Sequence, residues 1–122
     1  MLKIRREQYE ALRAAYRELY VDRTRDYFRR NWFDACEALS DEQLSQLVRE
    51  ARDRAETYGI TIEADVVRFT EVWLLLGGDF DRSNDYPWAE VVLTDQDTSG
   101  TIKTEQIVQA AAEVLDDNGA AR

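Results

Sequence analysis

The sequence predicts an all-α protein: a single compact bundle of about five or six helices over residues 1–122, with a long N-terminal helix. Three observations carry this. The first thirty residues contain neither glycine nor proline, and their apolar residues recur at helical spacing. Helix starts and stops then follow in order, at Ser40, Gly59, Gly77 and Pro87. The β-branched residues of the stretch from about Ile62 to Leu76 allow a strand reading of its end, but its length and both boundaries favour helix. At 122 residues and 44% hydrophobic, the chain can bury one core without staples.

The first helix is expected from about Lys3 to Arg30, with Ile4, Leu12, Ala15, Tyr16, Leu19 and Tyr20 as its core stripe. Tyr9 and Tyr27 flank that stripe, and Val21 and Phe28 fall on the opposite side. Asn31 to Leu39 reads as a bend and a short helix anchored by Trp32 and Phe33. Ser40-Asp41-Glu42-Gln43 is a capping box, in which Ser40 accepts from the third amide and Gln43 reaches back. The helix behind it buries Leu44, Leu47, Val48, Ala51, Ala55 and Tyr58, and Gly59 supplies a left-handed stop.

Thr61 is the expected cap of the next helix, about Ile62 to Leu76. That helix is apolar on most sides, which places it centrally. Gly77-Gly78 ends it, and an acidic loop runs from Asp79 to Tyr86. Pro87 opens a short helix at about Trp88–Leu93. The last helix is expected from about Ile102 to Leu115, with Ile107, Val108, Ala111, Val114 and Leu115 inward and residues 116–122 frayed.

Charge is organised along the chain. Residues 1–30 hold nine bases against five acids, and the remainder seven against twenty, within a net charge of −9. Acids alternate with the bases of the first helix, and the acidic remainder repels phosphates, so nucleic acid is not an expected partner. There is no histidine and one cysteine, Cys36. A disulfide framework, an ordinary zinc or haem site and histidine acid–base chemistry are thereby excluded. No phosphate-binding glycine loop or nucleophile elbow occurs, so neither enzymatic activity nor a cofactor is expected. The longest apolar run, Val72 to Leu76, is too short to span a bilayer. No membrane partner is expected, and no apolar leader core stands near the N-terminus; a cytoplasmic location is anticipated.

Two loops hold carboxylates. Asp95-Gln96-Asp97-Thr98-Ser99-Gly100 follows an EF-hand loop, with Asp95, Asp97 and Ser99 as weak candidate metal ligands and Gly100 at the sixth place. Its twelfth place is Gln106 instead of the bidentate glutamate, so the main reading is a turn that caps the last helix. Weak calcium binding by residues 95–106 is the alternative. In the other loop Asp79, Phe80, Asp81 and Tyr86 combine acids with aromatics, which suits a protein partner. Tyr9 and Tyr16 of the first helix complete the candidate partner-binding set.

Five segments taken in order resemble a family of short helical proteins encoded near bacterial type VI secretion spike and polymorphic toxin genes. They are Ile4-Arg5-Arg6-Glu7-Gln8, Cys36-Glu37-Ala38-Leu39, Tyr58-Gly59-Ile60-Thr61, Leu76-Gly77-Gly78-Asp79-Phe80-Asp81 and Pro87-Trp88-Ala89. The resemblance runs through nearly the whole chain and carries over no catalytic residue. It implies a partner of a secreted toxin or spike component, acting as adaptor, chaperone or immunity protein. The Asp95–Gly100 loop departs from that pattern.

Overall fold

A computed structural model describes residues 3–120, with side chains described to residue 117. It is all-α, with six helices, a 3-10 turn and no strand among the described residues. The helices are α1 (Arg6–Asn31), α2 (Phe33–Cys36), α3 (Asp41–Thr57), α4 (Glu63–Leu76), α5 (Pro87–Leu93) and α6 (Gly100–Ala120). The chain divides into two units, Met1–Val48 and Arg49–Arg122, and each is built on its own contacts.

In the first unit, α1 opens where the Arg5 backbone N–H donates to Gln8 Oε1 at 2.9 Å. Glu7 in the first turn and Arg29 and Arg30 in the last complement the helix dipole. Its buried residues are Tyr20, Val21, Thr24 and Phe28. This corrects the expected core stripe: Ile4, Leu12, Tyr16 and Leu19 are exposed, and so is every residue from Lys3 to Leu19. The helix has two apolar sides, and the unit is built on the side bearing Val21 and Phe28. There α1 meets α2, and Cys36 Sγ approaches the Phe28 carbonyl at 3.9 Å.

Arg29 fastens the turn that follows. Its guanidinium donates to the Cys36 carbonyl at 2.7 Å and the Leu39 carbonyl at 2.6 Å, and pairs with Asp41 at 2.9 Å. These bonds add to the one that the Cys36 carbonyl accepts from the Leu39 N–H at 2.9 Å. Phe33, an expected anchor, is 59% exposed, because Cys36 takes the inward place in this single turn. The capping box forms as expected: Gln43 N–H donates to Ser40 Oγ at 3.1 Å, and Ser40 N–H to Gln43 Oε1 at 2.9 Å. Leu44 and Val48 of α3 are fully buried.

The second unit begins within α3, whose Ala51 and Ala55 are fully buried. Gly59 stops the helix at φ +77°, where an L side chain is strained. Ile60 N–H bonds the Ala55 carbonyl and Gly59 N–H the Glu56 carbonyl, each at 3.0 Å, forming a Schellman motif sealed by buried Ile60. Ile62, not Thr61, precedes α4, and no side chain caps that end. Glu63 and Asp65 in its first turn still favour the positive helix end.

Most of α4 is buried, through Val66, Phe69, Thr70, Glu71, Val72 and Trp73, as expected of a central helix. It packs against α6, and α5 packs against both α6 and the 3-10 turn at Phe80–Arg82. Pro87 occupies the first turn of α5. Helix α6 buries Ile107 and Ala111, whereas Leu115 is 36% exposed. It continues to Ala120 where fraying was expected, since no proline interrupts residues 116–120. The remaining residues of that expectation, 121 and 122, lie outside the described residues.

Candidate functional site

The acidic loop is drawn together by an arginine of α3. Arg54 and Tyr58 stand four residues apart and so share one helix face. After α4, Gly77 at φ +104° and Asp79 at φ +62° turn the chain into the 3-10 segment. Aspartate is among the few side chains that tolerate this left-handed region. Arg54 Nη1 then donates to both oxygens of Asp81, at 2.9 and 2.7 Å, and Nη2 to Asp79 Oδ1 at 2.8 Å. The Tyr58 hydroxyl donates to Asp81 Oδ2.

Aromatic rings surround this knot. Phe69 lies 5.4 Å from Phe80, and Trp73 meets Phe80 edge-on at 6.2 Å. The Arg54 guanidinium sits 5.2 Å from the Trp73 ring centre, within cation–π range. Burial by itself would ease the proton off Arg54, but the hydrogen bonds to Asp81 and Asp79 outweigh it and hold the guanidinium above its ordinary pKa. Burial raises the Tyr58 hydroxyl pKa, and the hydrogen bond to Asp81 adds to it.

The Tyr58 shift has a pH consequence. A proton bound more tightly in the folded state contributes stability fully below the unfolded pKa, near 10.0, and loses it as pH rises through the folded value. Tyr58→Phe should therefore melt below wild type at neutral pH, with the gap narrowing once pH rises past the unfolded value near 10.0. Thermal melts of both proteins across that range check the sign; a gap that widens with pH contradicts it.

The structure separates the expected partner-binding residues. Tyr9 and Tyr16 are 53% and 54% exposed. The Asp79 side chain is also exposed, though held by Arg54. Phe80 and Asp81 are buried, at 1% and 0% exposure, and this corrects their place in a binding surface. Phe80 fills the aromatic cluster and Asp81 neutralises Arg54, so neither touches a partner unless this corner opens. Tyr86 is half-buried against Trp88, with ring centres 5.9 Å apart. A cleft of about 470 Å³ beside the knot is lined by Glu50, Asp53, Thr57, Trp73 and Gly78 together with Arg54 and Asp79. With both oxygens of Asp81 taken, the knot's evident role is to tie α3 to the 3-10 turn.

The EF-like loop serves the fold in the same way. Asp95 Oδ1 accepts from Asp97 N–H at 3.0 Å and Oδ2 from the Thr98 hydroxyl at 2.8 Å. These bonds, Thr98 first, hold the Asp95 carboxyl below its usual pKa. Ser99 Oγ accepts from Ile102 N–H at 3.3 Å at the start of α6. Gly100 answers a close approach: a Cβ there would lie 2.4 Å from the Gly59 carbonyl oxygen. Among the described residues no three His, Cys, Asp or Glu side chains group to hold a metal ion. Cys36 is buried, and burial pushes its thiol pKa up against a smaller opposing effect of Arg29.

The first half of α1 is open to a partner. Tyr9, Leu12, Tyr16 and Leu19 follow one another at spacings of three, four and three, which places them on one face. Leu12 is 63% and Leu19 59% exposed, and Ile4 near the helix start is 57% exposed. The periodicity of the leucines is that of a core stripe, which by itself points them inward. The signal against it was Val21 and Phe28, which supply a second apolar side nearer the middle of the unit. No helix of the described residues is long and apolar enough to cross a membrane. Comparison of the chain with protein-family models, curated proteins and solved structures returns no match.

Proposed function

We propose that this protein is a non-enzymatic binding module that captures another protein through the exposed apolar face of α1. The observation that carries the reading is the exposure of Leu12 and Leu19, beside Tyr9 and Tyr16, on one face of that helix. Scattered apolar side chains are ordinary on a surface, but a contiguous row is a recurrent mark of an interaction site. Recognition by a helix face needs only regularly spaced anchors and a complementary partner surface. The sequence resemblance supplies a setting: a toxin or spike component of a type VI secretion or related system, with this protein as its adaptor, chaperone or immunity partner. A single free cysteine suits action in the reducing cytoplasm.

The test is a paired substitution, Leu12→Glu with Leu19→Glu. Both side chains are more than half exposed, so stability should change by no more than about 0.5 kcal/mol. Binding to the cognate toxin or spike protein, sought among the products of neighbouring genes, should be lost. A doubly substituted protein that melts as wild type and still binds ends the proposal.

A further inference from the structure

We infer that the cleft beside the Arg54 knot takes a basic residue of a peptide, with its main-chain carbonyl on the Trp73 indole N–H and its cationic side chain on Asp53. The cleft lies wholly within the second unit and is independent of the α1 face. One wall is α3, where Glu50, Asp53, Arg54 and Thr57 share a side of the helix. The other is Trp73 of α4 and the Gly78-Asp79 turn behind it. Its volume of about 470 Å³ is that of a small-ligand site.

Trp73 supplies the observation that points to a ligand. The residue is only 4% exposed. Phe80 meets its ring edge-on, and the Arg54 guanidinium covers a face. The indole N–H nevertheless donates to no described residue, and its nitrogen is not sealed from solvent. It opens on the cleft at Gly78, where a Cβ would stand 3.4 Å from Nε1. An indole nitrogen only donates, so this buried edge requires an acceptor.

The surrounding charges decide which acceptor. The lining holds three carboxylates, Glu50, Asp53 and Asp79, against one guanidinium. Arg54 is engaged by Asp79 and buried Asp81, and Glu50 has an interaction of its own. Asp53 is exposed and pairs with no described residue. These acids repel a phosphate or carboxylate acceptor. A neutral carbonyl escapes that repulsion, and a cation carried with it meets Asp53 in a charge-assisted pair. A basic residue within a peptide unites the two groups. Free arginine fits less well, because its own carboxylate faces the same acids.

Titration of the full chain with acetylated and amidated Ala-Arg-Ala, followed on the indole N–H resonances, tests this. The chain has three tryptophans, and through-bond assignment identifies the Trp73 signal. That signal should move to lower field and saturate, and the citrulline analogue should bind roughly tenfold more weakly. Asp53→Asn should abolish that preference. Gly78→Ala, which sets a methyl group against the N–H, should weaken both peptides while the protein melts as wild type. A Trp73 signal unmoved at millimolar peptide overturns the site. Equal affinity for the arginine and citrulline peptides overturns the basic residue. Free arginine binding as tightly as the peptide assigns the cleft to a small molecule and also overturns the inference. Leu12→Glu with Leu19→Glu should leave the titration unchanged, so this reading and the α1-face reading fail separately.

Discussion

Replacing Asp81 by alanine should destabilise the protein by about 3 kcal/mol and lower its melting temperature by roughly 10 °C. The Asp81 side chain is fully buried, and it takes two hydrogen bonds from Arg54 and one from Tyr58. Its removal leaves Arg54, only 19% exposed, with the solvent-facing Asp79 as its remaining carboxylate. It also leaves the Tyr58 hydroxyl without its acceptor. The cost is that of stranding a partly buried charge, which is larger than the net worth of the pair. Asp79→Asn, which keeps a side chain suited to φ +62°, should cost under about 0.5 kcal/mol, because that carboxylate is 71% exposed and screened. Combining Asp81→Leu with Arg54→Met should recover most of the loss, since a stranded charge is then no longer present. Thermal and urea unfolding of the three variants measure this. An Asp81→Ala cost below about 1 kcal/mol removes the structural role assigned to the knot.

That knot also marks where the sequence stops being readable. Features whose partners lie within a few residues were legible. The Ser40–Gln43 box spans three residues, and the Gly59 stop with its Schellman bonds spans five. Pro87 at the start of α5 needs only its own ring. Arg54 and Asp81 are 27 residues apart, and nothing local to either declares the other. The acidic loop therefore read as a surface, although Phe80 and Asp81 are its inward anchors. The α1 stripe failed for a related reason. Periodicity reports that a helix has an apolar face, and contacts far along the chain decide which face is covered. Tyr9 and Tyr16 of the expected binding set lie on the exposed side, in company with Leu12 and Leu19, which periodicity assigned to the core.

Gly100→Ala should lower stability by about 2 kcal/mol, against the usual preference of helices for alanine. Gly100 opens α6 and has an ordinary negative φ, so conformational entropy and helix propensity both favour the substitution. The contact decides otherwise. An added Cβ lies 2.4 Å from the Gly59 oxygen and 3.1 Å from Ile60 Cα, and both are backbone atoms that cannot swing aside. Gly78→Ala is the contrasting case. Its Cβ would meet Trp73 Nε1 at 3.4 Å, an ordinary contact, and stability should stay within about 0.5 kcal/mol. Chemical denaturation of both variants checks this: if Gly100→Ala stabilises, helix propensity outweighs the contact and the close approach does not explain the glycine.

The cross-links of the second unit also govern how quickly it can form. Lys103 Nζ holds the Tyr58 carbonyl across 45 residues, Thr101 bonds Asp65 across 36, and Arg54 reaches Asp81 across 27. Each requires the chain between its ends to close, and closure entropy is spent before the contact returns anything. Folding rate falls as contacts become more distant in sequence. On a ribosome the end of α3 waits for the first turn of α6 to emerge before Lys103 can cap it. Until then the face of α4 that packs against α6 has no cover, and that interval is when this chain is most open to aggregation.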